Sequence, residues 1–510
     1  MPAAKDLALG QGAARDAALA AIVAQGDVAA APLLQAFIDG DVKTVGESRV
    51  LIVKDGKARD LVTGEAVDPV PDDVDDVIVN NRFRGMLASA IAALRLASTD
   101  RGVRAAAARE LADRSEPEML PAIGAALARE TDPAIKSSLR LTQAAIELGS
   151  GDRDARMAAV RELAHSDSRA TLSLLQRVLA RNGDAYAEPD AEVRAAAAQS
   201  IASVQRRLAL GDIAERIFTG LSLGSILLLA ALGLAVTYGL MGVINMAHGE
   251  LIMIGAYATY VVQNLFRAHL PAWFDGYLLV AIPVAFAVSA TVGMILERTV
   301  IRHLYGRPLE TLLATWGLSL ILIQATRTIF GAQNVQVENP AWMAGGIEIM
   351  SDIVLPWNRI AIMAFAVVVL ILVHTLLART RLGLFVRAVT QNRAMAGALG
   401  TPTARVDMLA FGLGSGVAGL AGCALSQIGN VGPELGQSYI VDSFMVVVLG
   451  GVGQLIGTVY AAFGLGIVNK LLEAWSGAVL AKIAVLVFIV IFIQKRPQGI
   501  FAMKGRMAEA

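Results

Sequence analysis

Nine apolar stretches follow one another between residues 217 and 494, and most are long enough to cross a bilayer as a helix. A hydrocarbon core about 30 Å thick takes about 20 residues at the 1.5 Å rise of an α-helix. Within it every backbone amide must be bonded internally, which runs of this length achieve as helices. The stretches lie near 217–240, 242–265, 277–297, 311–331, 358–378, 406–427, 438–452, 454–472 and 476–494. The seventh is short, and Gly450, Gly451 and Gly453 mark it as discontinuous. The expected fold class is all-α, with a polytopic helical membrane domain of about eight to ten spans or partial spans over residues 210–505.

Residues 1–209 are of another kind. Charged residues make up 17% of the chain, against about 25% in soluble domains. Most of them fall before the apolar runs, so two domains in two solvents are expected. The stretch Arg104–Ala112 superposes on Arg156–Ala164 at an offset of 52 residues, and Val193-Arg194-Ala-Ala-Ala-Ala begins a third copy. Small apolar residues permit close helix packing, and Asp132-Pro133 resets the chain between copies. A HEAT-like helical repeat domain is expected, each helix pair burying its face against its neighbours. Residues 49–70 interrupt it: Val50–Val53 and Leu61-Val62 flank Asp55-Gly56, the signature of a β-hairpin insertion. A docking or scaffolding module is the plain reading of this half.

Several functions are excluded. The formal net charge is zero and no basic tract occurs, which argues against nucleic acid. The single cysteine, Cys423, rules out a disulfide framework and makes a cysteine-based metal site untenable. No Gly-x-x-x-x-Gly-Lys-Ser/Thr loop, metal-ligand spacing or nucleophile elbow occurs, so neither catalytic nor metal-binding residues are expected. No enzyme acting alone is expected.

Loop charges orient the spans. Arg379, Arg381, Arg387, Arg393 and Arg405 crowd one loop, Arg298, Arg302 and Arg307 another, and Lys495, Arg496, Lys504 and Arg506 the tail. The 332–357 loop carries Glu338, Glu348 and Asp352 instead. The positive-inside rule makes the basic segments and the C-terminus cytoplasmic. Three spans precede residue 298, which puts the N-terminal domain outside, in the periplasm. A folded domain needs an export signal, and residues 1–10 show neither a basic nor an apolar signal region. Either the native start lies upstream of Met1, the preferred reading, or an early segment is re-entrant and the domain is cytoplasmic.

Four polar motifs interrupt the apolar runs. Asn245, His248 and Glu250 fall in Gly239–Glu250, between two apolar segments. A charge at the bilayer centre costs at least about 2.5–3.5 kcal/mol, so such groups face a cavity or each other. Flanking glycines permit a broken helix that offers its backbone to a solute; capping two helix ends is the competing reading. Arg381–Pro402 is basic and helical, suited to pressing on a protein or on anionic lipid. Gly412, Gly414, Gly416, Gly419 and Gly422 set small residues where helices meet, a packing feature. Gln427 and Asn430 offer donors and acceptors without charge, which suits a neutral polar solute, though they also serve as caps. Thr315 and Trp316 are further cavity-lining candidates, with core packing as the plainer reading.

At these motifs the chain resembles a known family. Tyr238–Glu250, the Arg381–Pro402 loop and Val448–Gly453 are similar to the branched-chain amino acid ABC permeases of the LivH/LivM type, across about residues 217–505. The N-terminal extension, with His303–Glu310 and Gly429–Pro433, is closer to the urea-permease branch, the UrtB type. The resemblance implies an inner-membrane subunit that imports urea by alternating access. It implies a second permease subunit, two ATPase subunits and a periplasmic solute-binding protein as partners. It implies no cofactor in this chain, since the partners use the ATP. The basic segment then resembles the helix that couples to the ATPase, with Arg387, Asn392, Arg393, Ala396, Gly400 and Pro402 in that role. Import of short amides or branched-chain amino acids is the near alternative. An ATP-independent channel or carrier, with Glu250 or His248 titrating, is one of another class, and an anchored interaction protein a third. Relatives with this extension are expected to carry a signal segment, and the chain departs from them there.

Overall fold

Alanine and leucine at helical spacing fold the first part of the chain as short helices beside one small sheet. The structure, a computed structural model, describes residues 2–501 apart from 11, 26, 47–48, 55–56, 62, 64, 68, 70, 72, 115–116, 184, 243–244, 351–352 and 497. It divides into two units, Met1–Ala209 and Leu210–Ala510.

In the N-terminal unit, α1 (Pro2–Leu9), α2 (Ala13–Gln25) and α3 (Ala31–Asp39) precede the sheet. Its strands are β1 (Val42–Val45), β2 (Arg49–Lys54), β3 (Lys57–Asp60), β4 (Ala66–Val67) and β5 (Asp75–Asp76), antiparallel in the order β4-β3-β2-β1-β5. The expected hairpin is the β2–β3 pair, in register from Leu51↔Asp60 to Lys54↔Lys57. Its Asp55-Gly56 turn lies outside the described residues. The sheet is wider than the hairpin because β1 pairs along all of Val45↔Arg49 to Val42↔Ile52.

Helices α4 (Asn81–Arg95), α5 (Arg101–Arg114), α6 (Leu120–Arg129), α7 (Pro133–Glu147), α8 (Arg153–Leu163) and α9 (Arg169–Val178) follow. A two-residue-per-strand hairpin, β6 (Arg181–Asn182) and β7 (Ala185–Tyr186), leads into α10 (Ala191–Met241). The 52-residue offset carries a repeated ionic device. Arg104 donates to Glu130 at 2.8 Å and to the carbonyls of Ser98 and Thr99 at 3.1 and 3.0 Å. Arg156 donates to Glu188 at 2.8 Å and to the carbonyls of Ser150 and Gly151 at 3.0 and 3.1 Å. Glu188 falls further along its copy than Glu130 because the β6–β7 hairpin is inserted before it. Asp132 and Asp190 cap the next helix in each copy, through the amides of Ile135 and Val193 among others.

The membrane unit starts within α10 and continues through α11 (His248–His269), α12 (Tyr277–Thr299), α13 (Pro308–Phe330), β8 (Gly346–Met350), β9 (Ile353–Pro356), α14 (Trp357–Arg379), α15 (Arg381–Gln391), α16 (Arg393–Ala398), α17 (Thr403–Ser426), α18 (Gln437–Gly450) and α19 (Leu455–Lys495). Among the described residues, six helices are long and apolar enough to cross a membrane: α10, α12, α13, α14, α17 and α19. The α12 segment includes the short turn Pro271–Gly276 before it.

The remaining expected spans take shorter or mixed forms. The 242–265 stretch is helical only from His248, because Gly242 adopts φ +64° and ends α10. The 438–452 stretch is α18, 14 residues long and so about 21 Å. The last two stretches form one assigned helix, α19, broken at Gly477 with φ +78° and ψ +165°. The chain returns there: Ile500 donates to the Leu449 carbonyl at 2.8 Å, and Phe501 stacks on Tyr460.

The centre of this unit is built from small residues. A Cβ on Gly422 would collide with the Ile252 carbonyl of α11, and one on Gly255 with the backbone of Gly419. One on Gly416 would meet the Phe286 ring of α12 at 2.5 Å. The glycine stripe of α17 is thus a packing seam that brings α11 and α12 against it. By contrast α14 and α19 bury little of their apolar surface, leaving Ile371, Leu372, Val479 and Phe488 exposed. An outward apolar belt of this kind suits a lipid or partner-helix environment rather than water.

Candidate functional site

The break after α10 places polar groups inside the bundle. Beyond Gly242, with Val243 and Ile244 outside the described residues, Asn245 accepts a hydrogen bond from the Ala247 amide at 3.0 Å on its side-chain oxygen. Its backbone carbonyl accepts from the His248 amide at 3.3 Å. This Asx turn starts α11, satisfying amides that no preceding helical turn can reach. The Met246 amide donates to the Thr315 hydroxyl of α13 at 3.1 Å, and that hydroxyl donates to the Thr311 carbonyl at 2.8 Å. Glu250, in the first turn of α11, lies beside Ser319, one helical turn beyond Thr315. The stripe Thr311, Thr315, Ser319 is buried and faces the start of α11.

The depth of this cluster follows from its neighbours. Ser319 lies midway along α13. Ser289, near the middle of α12, donates to the Leu251 carbonyl at 3.1 Å. A Cβ on Gly233 of α10 would meet both the Gly414 carbonyl, midway along α17, and the His248 ring at 2.5 and 3.0 Å. Thus α11 begins at the mid-depth of three long helices. Gly249 also packs against Gly436, so α18 starts close by. Two helices, the 22-residue α11 and the shorter α18, therefore present their N-termini to the middle of the bundle, where the positive ends of their dipoles favour electron-rich groups.

Three buried polar atoms in this region have no hydrogen-bond partner among the described residues: Asn245 Nδ2, His248 Nδ1 and Glu250 Oε2. Such atoms are costly in a low-dielectric interior unless something visits them. The residues do not share one face. The imidazole Nε2 donates to the Ala230 carbonyl of α10 at 3.0 Å, which leaves Nδ1 as the bare acceptor of a neutral ring. His248 therefore faces α10 and α17, whereas Glu250 faces α13. The structure brings Asn245, Glu250 and Thr315 together and turns His248 to the other side. Ser319 was not singled out from sequence, because a lone serine in an apolar run carries no signal; its spacing of four from Thr315 is the clue.

The other sequence candidates lie elsewhere. Trp316 projects out of the unit and is 54% exposed, which corrects the core-packing reading; one residue from a buried position on a helix points about 100° away. Gln427 is buried beyond α17 with its partners complete, donating to Tyr277 and Ser426 at 3.1 Å each. Its carbonyl accepts from Asn358 at 3.1 Å, and Tyr277 donates on to the Glu338 carbonyl at 2.7 Å. This is a pin between α12, α14 and α17, made by hydrogen bonds of Gln427 away from the Asn245–Glu250 cluster. Asn430 is exposed, next to Val431, which bridges to Val335.

The basic segment is held inward by most of its named residues. Arg387 donates to the Leu377 carbonyl at 2.7 Å, tying α15 to the end of α14. Asn392 caps α16 by accepting from the Met395 amide at 2.9 Å. Arg393 pairs with Asp407 of α17 and lies over the Tyr305 ring at 4.7 Å. Burial and the nearby Asp407 carboxylate push the Tyr305 phenol above its ordinary range. Ala396 is buried with Val386, Val389, Val406 and Ala410. The Thr401 amide donates back to the Ala396 carbonyl at 3.0 Å around Gly400, and Pro402 precedes α17. Pointing outward instead are Met395 and Leu399, the latter 79% exposed, which charge-based reading passed over.

Comparison with known proteins places this architecture. The family model described as "Branched-chain amino acid transport system / permease component" matches residues 216–494, more than half of the chain. The permease protein LivH of Escherichia coli K12, named for high-affinity branched-chain amino acid transport, is 29% identical over 295 residues, 56% of this chain and 94% of its own. BraD of Pseudomonas aeruginosa PAO1, of the same description, is 26% identical over 290 residues, again 56% and 94%. LivM of Salmonella typhimurium LT2 is 28% identical over 305 residues, 54% of this chain and 68% of its own. No solved structure matches the chain. With its apolar helices and this match, the chain is a multi-pass membrane protein that belongs to the family of branched-chain amino acid transport system permease components.

Proposed function

We propose that the chain is the permease subunit of an ATP-driven importer in a bacterial inner membrane, and that its solute passes the Asn245–Glu250–Thr315–Ser319 cluster at mid-membrane. The carrying observation is the bare Glu250 Oε2 beside Ser319, at the start of α11 and at the mid-depth of the bundle. Glu250 is 1% exposed, so this conformation is closed on both sides, and transport requires the helices around α11 to part in alternation. The proposed partners are a second permease subunit, two ATPase subunits that use the ATP, and a periplasmic solute-binding protein.

Urea is the first solute to test. It is neutral and carries N–H donors for Glu250 and a carbonyl for Asn245 Nδ2 or a helix N-terminus. The motifs His303–Glu310 and Gly429–Pro433 support the same branch. Branched-chain amino acids stand as the second reading, favoured by the descriptions of the relatives and by an uncompensated carboxylate suited to an ammonium group. Side assignment follows from charge. Gly211 packs against Met350 and Ile353, at the end of the bundle opposite the arginine-rich 379–405 segment. That supports a cytoplasmic C-terminus and an N-terminal domain entering from the periplasm, where its repeats serve a docking role.

Uptake of labelled urea and labelled leucine, with and without this chain and after ATP depletion, tests the proposal. Saturable, ATP-dependent uptake of one solute that needs the chain supports it; ATP-independent uptake favours a channel or carrier.

A further inference from the structure

Resting on the importer reading above, we propose that Arg393 is a positioning residue that latches the α15–α16 segment to α12 and α17, so that displacement of α16 is passed to the mid-membrane cluster. The latch has parts on four elements. Arg393, at the start of α16, pairs with Asp407, which is 2% exposed near the start of α17. The same guanidinium lies 4.7 Å from the centre of the Tyr305 ring, in the link between α12 and α13. Tyr305 in turn donates to Glu297 of α12 at 3.3 Å. Glu297 is fully buried, and Arg302 approaches it at 3.8 Å. Two buried acids near one another are held in place by two arginines and a phenol, so moving one member leaves the others poorly paired.

Rigid packing joins this latch to the site. On α12 and α17, Gly412 meets Met294, Gly293 meets Ser415, and Gly419 meets Ser289. Ser289 donates to the carbonyl of Leu251, next in sequence to Glu250. Gly419 also touches Gly255 of α11. A chain of close contacts thus runs from Arg393 to the start of α11, with glycines and serines at most of its meeting points. On the outer side of the segment, Met395 and Leu399 are exposed, so a push on α16 from outside meets Arg393 on the same short helix.

The test uses the complete transporter with its partner subunits, reconstituted in vesicles, with labelled urea and labelled leucine as probes. Arg393→Ala and Asp407→Asn are compared with the unchanged complex and with the charge exchange Arg393→Asp/Asp407→Arg. The expected result is an uptake per ATP hydrolysed that falls about tenfold or more in the single variants, in the range of an energetic coupling between sites, with the ATPase still co-purifying. The charge exchange recovers part of it. Unchanged uptake per ATP, or a loss that only tracks loss of the ATPase, overturns the latch. A second readout needs no known solute: Ser319→Cys in a Cys423→Ala background, reacted with a small thiol reagent with and without ATP. ATP should change labelling in the unchanged latch and not after Arg393→Ala. An equal ATP effect in both overturns the latch alone, whereas no ATP effect in either overturns the importer reading with it.

Discussion

Glu250 carries a bare carboxylate oxygen, Oε2, in the packed middle of the bundle. If the bare oxygen receives an N–H of the solute, Glu250→Gln replaces a charge-assisted hydrogen bond by a weaker neutral one. Charge-assisted bonds contribute about 1.5–3 kcal/mol and neutral ones about 0.5–1.5, so a difference of about 1–1.5 kcal/mol should lower uptake efficiency roughly 5- to 15-fold with membrane insertion intact. Unchanged uptake kinetics in that variant would remove Glu250 from the path. At this scale the sequence was partly readable. Asn245 and Glu250 stood out because polar groups in apolar runs are costly, and the structure puts them beside Thr315. Ser319 and the inward pairing of Arg393 did not, because composition says that a serine or arginine is present and not which helix it meets. The N-terminal unit offers a separate residue-scale prediction. The side-chain hydrogen bonds from Arg104 and Arg156 hold the Glu130 and Glu188 carboxyls below their ordinary 4.5. The stabilisation from both pairs is therefore complete above about pH 4.5 and lost as pH falls through the lowered folded values. Hydrogen exchange across 98–132 and 150–192 in the full chain should lose protection on acidification through that window and keep it between pH 5 and 7, a range given by the same linkage.

Among the elements, the apolar runs told the length and order of most helices, since a spanning helix satisfies its own backbone and needs no distant partner. Elements that depend on distant pairing were less legible. Strands β1, β4 and β5 add to the expected hairpin, and β8–β9 forms in a loop read only for its acids. The start of α11 at His248 rather than Gly242, and the chain reversal at Gly477, depend on backbone conformations that residue type permits without dictating. Gly477 at φ +78° and ψ +165° occupies a region that side chains avoid, so Gly477→Ala should destabilise the α19 reversal by about 1–3 kcal/mol. A lower melting temperature of the detergent-solubilised chain is the readout. Gly422→Ala should cost about as much by forcing α17 away from α11, because overpacking a tight seam costs about 1–3 kcal/mol. It should also reduce transport, whereas Gly464→Ala, which meets open space on α19, should leave transport unchanged and not lower the melting temperature.

For the whole molecule, the family match covers residues 216–494, within the second unit, and leaves Met1–Ala209 outside it. Removing residues 1–209 should leave part of the transport activity, with the remaining chain still inserted; complete loss of uptake would make the N-terminal unit part of the mechanism. Division of labour between the units was visible in composition, because apolar and charged residues separate so sharply near residue 210. Solute identity was not, because one carboxylate and a few hydroxyls accept either an amide or an ammonium group. The most direct test of the account is uptake of labelled urea and labelled leucine at micromolar concentration in cells lacking the chain, with the chain restored as wild type or as Glu250→Gln, before and after ATP depletion. The account predicts saturable uptake of one of the two solutes that returns with the wild-type chain, collapses without ATP, and is sharply reduced by Glu250→Gln. Uptake that returns equally with both forms, or that persists without ATP, would contradict it.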